Sequence, residues 1–390
     1  MTEEFSIAVE EAKRVALEVL LYNARDGRNG LPRTAAWGYP EPYMRDLMIG
    51  ALGTLVSGNQ ELVASLRRTL QVLAQNQSPL GHIPSLVDVP GDRGASDSTP
   101  LFLIALSMYR EFSAEPTFLA EAGRKARVWM CYQSPEDDVI VTQEPTSDWR
   151  DEQWVEGSGL FVNALLYCHL KLERDEERVR TLAHYLPRFD VRRLDQSYVH
   201  ERLVSKDAPY YALWAYKMAN SERFDLLGNS LAILSGMASP ERASLIVDWV
   251  ERECQALQAQ GLLAVNLPPC LLPYIQPEDP DWRARYARYN PPGSYHNGGI
   301  WPFVCGFWVC ALVAAGRHEL AREKLAALAE VVRPTRVVDR AFGFNEWLQA
   351  QDGQPRGQDW QTWSASMFLY AAECVARRST PYFDSMRVWP

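Results

Sequence analysis

The stretch "GGIWPFVCGFWVCALVAAG", Gly298 to Gly316, carries no charged residue. Nineteen uncharged positions approach the length of a membrane span, so a transmembrane helix is one interpretation. Pro302 and Gly306 interrupt the run, however, and the sequence has no second segment of this kind. A helix without a polar face is typical of the inside of a large helical domain, which is the interpretation we adopt.

Helical periodicity recurs along the rest of the chain, whereas strand-like alternation is brief. Alternation occurs in 137–143 and in 261–267. Helices are predicted within 59–77 and at about 6–24, 44–57, 98–112, 116–131, 158–173, 208–219, 239–258, 299–316, 318–331 and 361–378. Asn59 is placed to cap the helix within 59–77, and Thr99, with Pro100 at the first helical position, could cap the helix at about 98–112.

Some of these helices, such as 44–57, are apolar nearly all round, while others, such as 318–331, carry charge on one face. Two concentric layers of helices would produce this difference, because the inner layer is covered on both sides. The sequence therefore predicts an all-α fold, an (α/α)6 barrel of six helical hairpins formed by residues 1–390 as a single catalytic domain. A superhelix of helix pairs is the rival fold, but no repeat of fixed period is visible. The predicted inner helices are 44–57, 98–112, 158–173, 299–316 and 361–378.

Composition narrows the class of protein. The chain has 390 residues, 47% hydrophobic and 23% charged, and a net charge of −9, which argues against nucleic acid as a partner. Seven scattered cysteines without a CxxC pair predict neither a disulfide framework nor a zinc site. The acidic start "MTEEFSIAVEEAKRV" is unlike a signal peptide, so we expect a cytoplasmic location. We also expect no cofactor, no metal and no membrane partner, and the oligomeric state stays open, a homo-oligomer included.

Polar and aromatic side chains gather in five loops that precede predicted helices. In an (α/α) barrel such junctions meet at one end, around the central cavity. Taken singly, each residue has a structural interpretation, since Asp97 could cap a helix and Arg45-Asp46 could be a surface pair. The five loops are "YPEPYMRDLMIG" (39–50), "RGASDSTPLF" (93–102), "TSDWRDEQWVEGSG" (146–159), "SYHNGGIWPF" (294–303) and "FGFNEWLQAQDGQPRGQDWQTWSAS" (342–366).

Carboxylates beside tryptophans suggest glycoside hydrolysis. One carboxylic acid protonates the leaving oxygen, and a second carboxylate activates water or attacks carbon. A tryptophan face stacks on sugar, and its bulk raises the pKa of a neighbouring acid by excluding water. The sequence has no GxSxG, phosphate-binding loop or dinucleotide fingerprint, and its six histidines show no metal-binding spacing.

The motifs resemble a known family. "SYHNGGIWP", followed by "QTWS", is similar to the matching stretches of the alkaline and neutral invertases, glycoside hydrolase family 100, and the similarity spans roughly residues 40–375. A wider resemblance links the chain to the glucosidase domain of glycogen debranching enzymes. The resemblance implies an (α/α)6 barrel that hydrolyses a small α-glucoside with inversion, with sucrose as the first candidate. It implies Asp151 as general acid and Glu346 as general base. It also implies a set of sugar-binding residues: Tyr43, Arg45, Asp46, Asp97, Trp149, Arg150, Tyr295, His296, Asn297, Trp301, Gln361 and Trp363.

Two departures from the family lie where the leaving group should bind. Glu152-Gln153 follow the acid, where the invertases have two arginines, and Asn345 and Trp347 flank the base in place of Pro-Glu-Tyr-Tyr. The leaving group therefore stays open, as does the choice of Asp148 over Asp151 as the acid. Alternative functions are an amylo-α-1,6-glucosidase or another α-glucosidase, a sugar epimerase, and a non-catalytic carbohydrate-binding barrel. For an inverting enzyme we expect the two carboxyl groups to lie about 6.5–9.5 Å apart.

Overall fold

The structure is a computed structural model that describes residues 3–25, 27–134, 139–190, 208–216, 219–336 and 340–388. Its helices are α1 (Glu3–Arg25), α2 (Met44–Ser57), α3 (Gln60–Gln75), α4 (Ser98–Ser113), α5 (Ala120–Tyr132), α6 (Leu160–Glu173), α7 (Glu176–Tyr185), α8 (Leu226–Ser235), α9 (Pro240–Ala259), α10 (Tyr286–Tyr289), α11 (Pro302–Ala314), α12 (His318–Val331), α13 (Thr362–Arg377) and α14 (Asp384–Val388). The short strands are β1 (Ser158–Gly159), β2 (Trp214–Tyr216), β3 (Ala219–Asn220), β4 (Phe224–Asp225), β5 (Leu271–Leu272), β6 (Trp347–Leu348) and β7 (Pro355–Arg356). Two 3₁₀ turns occupy Arg28–Gly30 and Leu186–Phe189.

Six helices form a closed inner ring. In ring order they are α2, α4, α6, α8, α11 and α13, each packed on the next, and α13 closes the ring against α2. Helices α1, α3, α5, α7 and α12 pack against the outside of this ring. The sixth outer helix, α9, is joined to α12 by an ion pair between Lys324 Nζ and Glu251 Oε2, 2.8 Å apart. The (α/α)6 barrel predicted from the sequence is confirmed.

Burial separates the two layers as the charge pattern predicts. In α11 every residue from Pro302 to Val313 is buried, and so is every residue of α8. In the outer helix α3 a single face is buried, formed by Leu62, Leu66 and Leu70 together with their neighbours. Within the described ranges, no helix combines the length and the apolar character that crossing a bilayer requires.

Two predicted helix starts have different outcomes. Asn59 caps α3 as expected, because its side chain accepts hydrogen bonds from the N–H groups of Glu61 (3.0 Å) and Leu62 (3.2 Å). The cap predicted at Thr99 is wrong, since α4 already begins at Ser98 and Thr99 lies within its first turn. Thr99 Oγ1 instead accepts a hydrogen bond from the N–H of Ile83, 3.3 Å away.

The helix predicted at 208–219 is also wrong. Strand β2 lies there and pairs antiparallel with β1 and β3. The sixth inner helix is α8, ten residues that the sequence pattern did not identify. Strand pairing with Ser158 and Gly159 overrides the local helical spacing of this segment, because β structure depends strongly on its tertiary neighbours.

Candidate active site

A cavity of about 160 Å³ opens at the end of the ring where inner helices begin. Helix α2 starts after Tyr43, α11 after Trp301 and α13 after Gln361, and all three residues line the cavity. The complete lining comprises Thr34, Tyr39, Tyr43, Arg45, Asp46, Trp149, Asp151, Tyr295, Trp301, Glu346, Gln361 and Trp363. All the site residues predicted from the sequence are therefore in this wall except four: Asp97, Arg150, His296 and Asn297.

Glu346 is held at the cavity by the residues that follow β7. Its N–H donates to the carbonyl of Gln358 (2.8 Å), and the N–H of Gln358 donates to Glu346 Oε2 (3.0 Å). Gly357 permits this approach: it has φ +70°, and a Cβ there would lie 2.2 Å from Oε2. Only 7% of Glu346 is exposed, and this burial raises its pKa to about 7, against the opposing effect of the Gln358 N–H.

Asp151 lines the same cavity. Its side chain is 64% exposed, yet it lies between the cavity walls, where partial desolvation raises its pKa. The charge of Arg45 opposes this rise, while the carboxylates of Glu152 and Asp148 add to it. The sequence led us to expect a raised pKa on the acid alone. In the structure the pKa of both carboxyl groups is raised, because burial acts on Glu346 as well as on Asp151.

Asp148 and Arg150 lie behind the wall. Asp148 is 1% exposed, and it accepts hydrogen bonds from the N–H of Arg150 (2.7 Å), from Arg150 Nη2 (3.0 Å) and from Gln143 Nε2 (3.2 Å). Arg150 Nη1 also donates to Asp225 Oδ1 at 2.8 Å. The sequence placed Arg150 on the sugar, and the structure corrects this, because its guanidinium neutralises two buried carboxylates. Between the two candidate acids, Asp151 is the one that reaches the cavity.

Asp97 supports a cavity residue and does not line the cavity itself. It is fully buried and makes no capping hydrogen bond to α4. Its carboxylate accepts hydrogen bonds from Arg45 Nε (2.6 Å) and Arg45 Nη2 (3.1 Å). The neighbouring Asp46 is 6% exposed, and burial raises its pKa to about 8, which Arg45 opposes and Glu346 reinforces. Asp97 is therefore not a helix cap, and Arg45-Asp46 is not a surface pair.

The turn formed by "SYHNGGIWP" holds aromatic residues against the cavity. Asn297 accepts from the N–H of Ile275 (2.7 Å) and donates to the carbonyls of Ile275 (2.9 Å) and Asn290 (3.0 Å). Because its amide is occupied by the backbone, Asn297 fixes the turn instead of binding sugar directly, which corrects the prediction. Tyr295, at φ +44°, brings its ring to the wall.

His296 is sandwiched behind this wall. Its ring stacks on Tyr295 (centroids 4.0 Å apart) and on Trp301 (5.3 Å). Burial holds its pKa well below the usual value, helped by Arg150, so the imidazole is neutral. Nε2 lies 3.8 Å from Asp151 Oδ1, which is beyond hydrogen-bond distance.

Four aromatic rings pack in one continuous cluster, in which Trp149, Trp301 and Trp363 line the cavity and Phe303 lies behind them. Trp149 contacts Trp301 (5.3 Å) and Phe303 (5.4 Å) edge to face, and Phe303 stacks on Trp363 at 4.0 Å. Trp301 Nε1 donates to the carbonyl of Tyr295 (2.9 Å), which fixes the ring that faces the cavity. Such rings present the flat surface on which a sugar ring stacks.

Thr34 and Tyr39 are the cavity residues that sequence reasoning missed. They belong to a turn in which the N–H of Ala35 donates a hydrogen bond to the carbonyl of Tyr39 (2.9 Å). Thr34 Oγ1 accepts from the N–H of Tyr43 (2.9 Å), which ties this turn to the start of α2. The aromatic run "WGYPEPY" (37–43) was the available signal.

A larger cleft of about 660 Å³ lies beside the segment 142–158. Among the described residues its walls contain no tryptophan, and Glu144 in its rim is exposed. The smaller cavity is the candidate active site because it combines three carboxyl groups of raised pKa, those of Asp46, Asp151 and Glu346, with stacked aromatic rings.

Solved structures share this fold. A family 63 mannosylglycerate hydrolase from Thermus thermophilus, in complex with Tris and D-glycerate, matches with a TM-score of 0.64 at 17% identity, over 92% of this chain and 99% of that one. A bacterial glucoamylase complexed with acarbose matches with a TM-score of 0.65 at 12% identity, over 96% of this chain and 57% of that one.

Sequence comparisons find similar proteins. Cytosolic invertase 1 of Oryza sativa subsp. japonica is 29% identical over 157 residues, which cover 38% of this chain and 25% of the relative. The chloroplastic alkaline/neutral invertase E of Arabidopsis thaliana is 30% identical over 169 residues, 41% of this chain and 25% of the relative. The similarity thus spans about a quarter of the length of each of these relatives. The family model for alkaline and neutral invertases matches residues 202–377, and the resemblance to that family predicted from the motifs is confirmed.

Proposed function

We propose that the chain is an inverting glycoside hydrolase that releases glucose from a small α-glucoside, with sucrose as the first candidate. The observation that carries the proposal is one cavity into which Asp151 and Glu346 both open, between stacked aromatic walls. A cavity of about 160 Å³ is smaller than the ~300–1,000 Å³ of sites for larger ligands, which favours a single sugar unit. We also propose that residues 1–390 act as one catalytic domain, because the inner ring joins elements from both halves of the chain.

In the proposed mechanism Asp151 protonates the glycosidic oxygen while Glu346 takes a proton from the attacking water. The neutral His296 and the wall of Trp149 and Trp301 keep bulk water from the reacting bond, which strengthens electrostatic interactions there. Arg45, fixed by Asp97, and the carboxyl of Asp46 supply polar contacts for sugar hydroxyl groups.

Other α-glucosides, including those with a 1,6 linkage, are the first alternative, since the residues after Asp151 and around Glu346 differ from the invertase pattern. A sugar epimerase would need proton-transferring bases on both faces of the sugar. No histidine is in the cavity lining formed by the described residues, which argues against the histidine-based form of that chemistry. A non-catalytic binding barrel would not need both carboxyl groups.

The test is incubation with sucrose, maltose, isomaltose, trehalose and glucosylglycerate, followed by measurement of released glucose. With sucrose or glucosylglycerate, whose leaving groups are not glucose, proton NMR of the first-formed glucose should show the β anomer. Initial release of the α anomer from these substrates would refute inversion. Binding without any turnover would favour the non-catalytic barrel.

A further inference from the structure

The segment 148–154, here called the acid loop, carries Asp151 and is attached to the rest of the barrel on both sides of it. After Asp151, the N–H of Trp154 donates to the hydroxyl of Tyr286, 2.7 Å away. Glu152 also pairs with Arg285, and its carbonyl accepts a hydrogen bond from Asn290 Nδ2 (2.6 Å). Before Asp151, Arg150 turns away from the cavity and reaches Asp225, 75 residues along the chain. Asp151 itself projects the opposite way, into the cavity.

Asp225 joins the acid loop to an inner helix. It is the N-cap of α8, where Oδ2 accepts a hydrogen bond from the N–H of Gly228 (3.1 Å) while Oδ1 holds Arg150 Nη1 (2.8 Å). Helix α8 is buried along its whole length between α6 and α11, so it is a rigid support. The other ionic partner of Arg150, Asp148, belongs to the acid loop itself. The ion pair of Glu152 with Arg285 leads to a residue outside the six inner helices. Among the described residues, the pair with Asp225 is therefore the ion pair that joins the loop to the inner ring.

Stability alone does not account for this arrangement. Asp148, Arg150 and Asp225 are each no more than 1% exposed, and they place two carboxylates against one guanidinium. Removing charged groups from water costs free energy that an ion pair often fails to recover. Buried groups of this kind that act on a neighbouring reactive residue are typical of supports for catalytic geometry.

We propose that Asp225 is a positioning residue for the proton donor: through Arg150 it sets where Asp151 stands relative to the glycosidic oxygen. This rests on the proposed function, in which Asp151 is the general acid. An acid transfers its proton only within hydrogen-bond reach, and displacement by about 1 Å can lower a rate by about a hundredfold. Loss of Asp225 should therefore impair the protonation of leaving groups more than any other step.

The experiment compares Asp225→Asn with a matched control, Asp281→Asn. Asp281 is also one of two carboxylates on a single arginine, since Arg223 binds Asp279 (2.7 Å) and Asp281 (2.9 Å), but none of these residues is in the cavity lining. Each variant is assayed on the preferred α-glucoside and on α-glucosyl fluoride. Fluoride leaves without needing a proton, so hydrolysis of the fluoride still requires Glu346 but depends little on the acid.

For Asp225→Asn we expect kcat on the α-glucoside to fall about ten- to hundredfold, with KM and the rate on the fluoride changed by less than about threefold. The control should keep both rates. Equal losses on both substrates would show that Asp225 only maintains the fold, and unchanged rates on both would show that it does not position the acid. If Asp225→Asn does not fold, Arg150→Lys, which keeps the charge but loses the forked geometry, tests the same link.

A second measurement does not depend on turnover. Amide hydrogen exchange in the acid loop should be about tenfold faster in Asp225→Asn than in the wild-type protein or the control, because the loop has lost an anchor. Unchanged exchange there would overturn the proposal even if the enzyme is active. A wild-type protein that hydrolyses neither substrate would refute the proposed function, while the exchange experiment would still decide whether Asp225 anchors the loop.

Discussion

Arg45 and Asp97 form a two-point ion pair, with Arg45 Nε 2.6 Å from Oδ2 and Nη2 3.1 Å from Oδ1 of Asp97. The pair joins the first turn of α2 to the residue that precedes α4, so it connects two neighbouring inner helices at the cavity. Asp97 is fully buried, whereas Arg45 also faces the cavity. Asp97 thus holds the guanidinium of Arg45 in place for contact with a ligand.

Asp97→Ala should lower the free energy of unfolding by about 3 kcal/mol, because it leaves a largely buried guanidinium without its partner. Urea denaturation measures the change. The control is Asp248→Ala, which removes the exposed partner of Arg317 and should cost less than about 1 kcal/mol. Equal effects of the two changes would contradict the special role of the buried pair.

Asp151→Asn and Glu346→Gln should each lower kcat by about a thousandfold or more, since each removes one of the two proton transfers. Glucose affinity, measured by calorimetry, should change little, because both substitutions keep the size of the side chain. Glu144→Gln is the control for loss of a carboxylate at an exposed position outside the cavity. If Glu346→Gln retained most of the turnover, the base would have to be another residue.

The pH dependence of kcat/KM should have an acidic limb near pH 7. Glu346 accepts a proton only when ionised, and its pKa is raised to about 7 in the free enzyme, so activity falls about tenfold per pH unit below that value. Asp151 must keep its proton over the same range. We expect a bound leaving group to cover its carboxyl and raise its pKa further, so the kcat profile should extend to higher pH than that of kcat/KM. An acidic limb below pH 5 would contradict the raised pKa of Glu346.

Asp46→Asn should raise the melting temperature at pH 8 and leave it nearly unchanged at pH 4. The pKa of Asp46 is raised to about 8 in the folded protein and is about 3.9 when unfolded, so its carboxyl costs stability as the pH rises between these values. We expect a gain of about 2–4 °C at pH 8, together with loss of activity, because Asp46 lines the cavity. Scanning calorimetry at both pH values checks this, and an equal gain at both would refute the ionisation effect.

Dialysis against EDTA should leave the activity unchanged. Within the described ranges no group of three or more His, Cys, Asp or Glu side chains is arranged to hold a metal ion. Assays before and after dialysis, with Mg²⁺ and Ca²⁺ added back separately, measure the effect. A large loss restored by one ion would reveal a site.

Local sequence predicted which residues line the cavity better than it predicted the individual helices of the ring. Gln361 and Trp363 stand at the start of α13, and Glu346 lies in the loop before it, so their meeting at one cavity followed from the barrel. Asp225 carried no such signal, because its role depends on an arginine 75 residues away. Helix α8 was missed since ten residues give too few turns for a clear period, and 208–216 has helical spacing but is held in strand pairing by β1.

The contact between α2 and α13 gives the barrel an order of assembly. These two helices are neighbours in the ring although they stand near opposite ends of the sequence, so a growing chain cannot complete the circle until residues 362–377 have left the ribosome. Gln361 and Trp363 lie at the start of that last inner helix. The emergence of α13 therefore completes the cavity and the ring together. A nascent chain that stalls before α13 has neither.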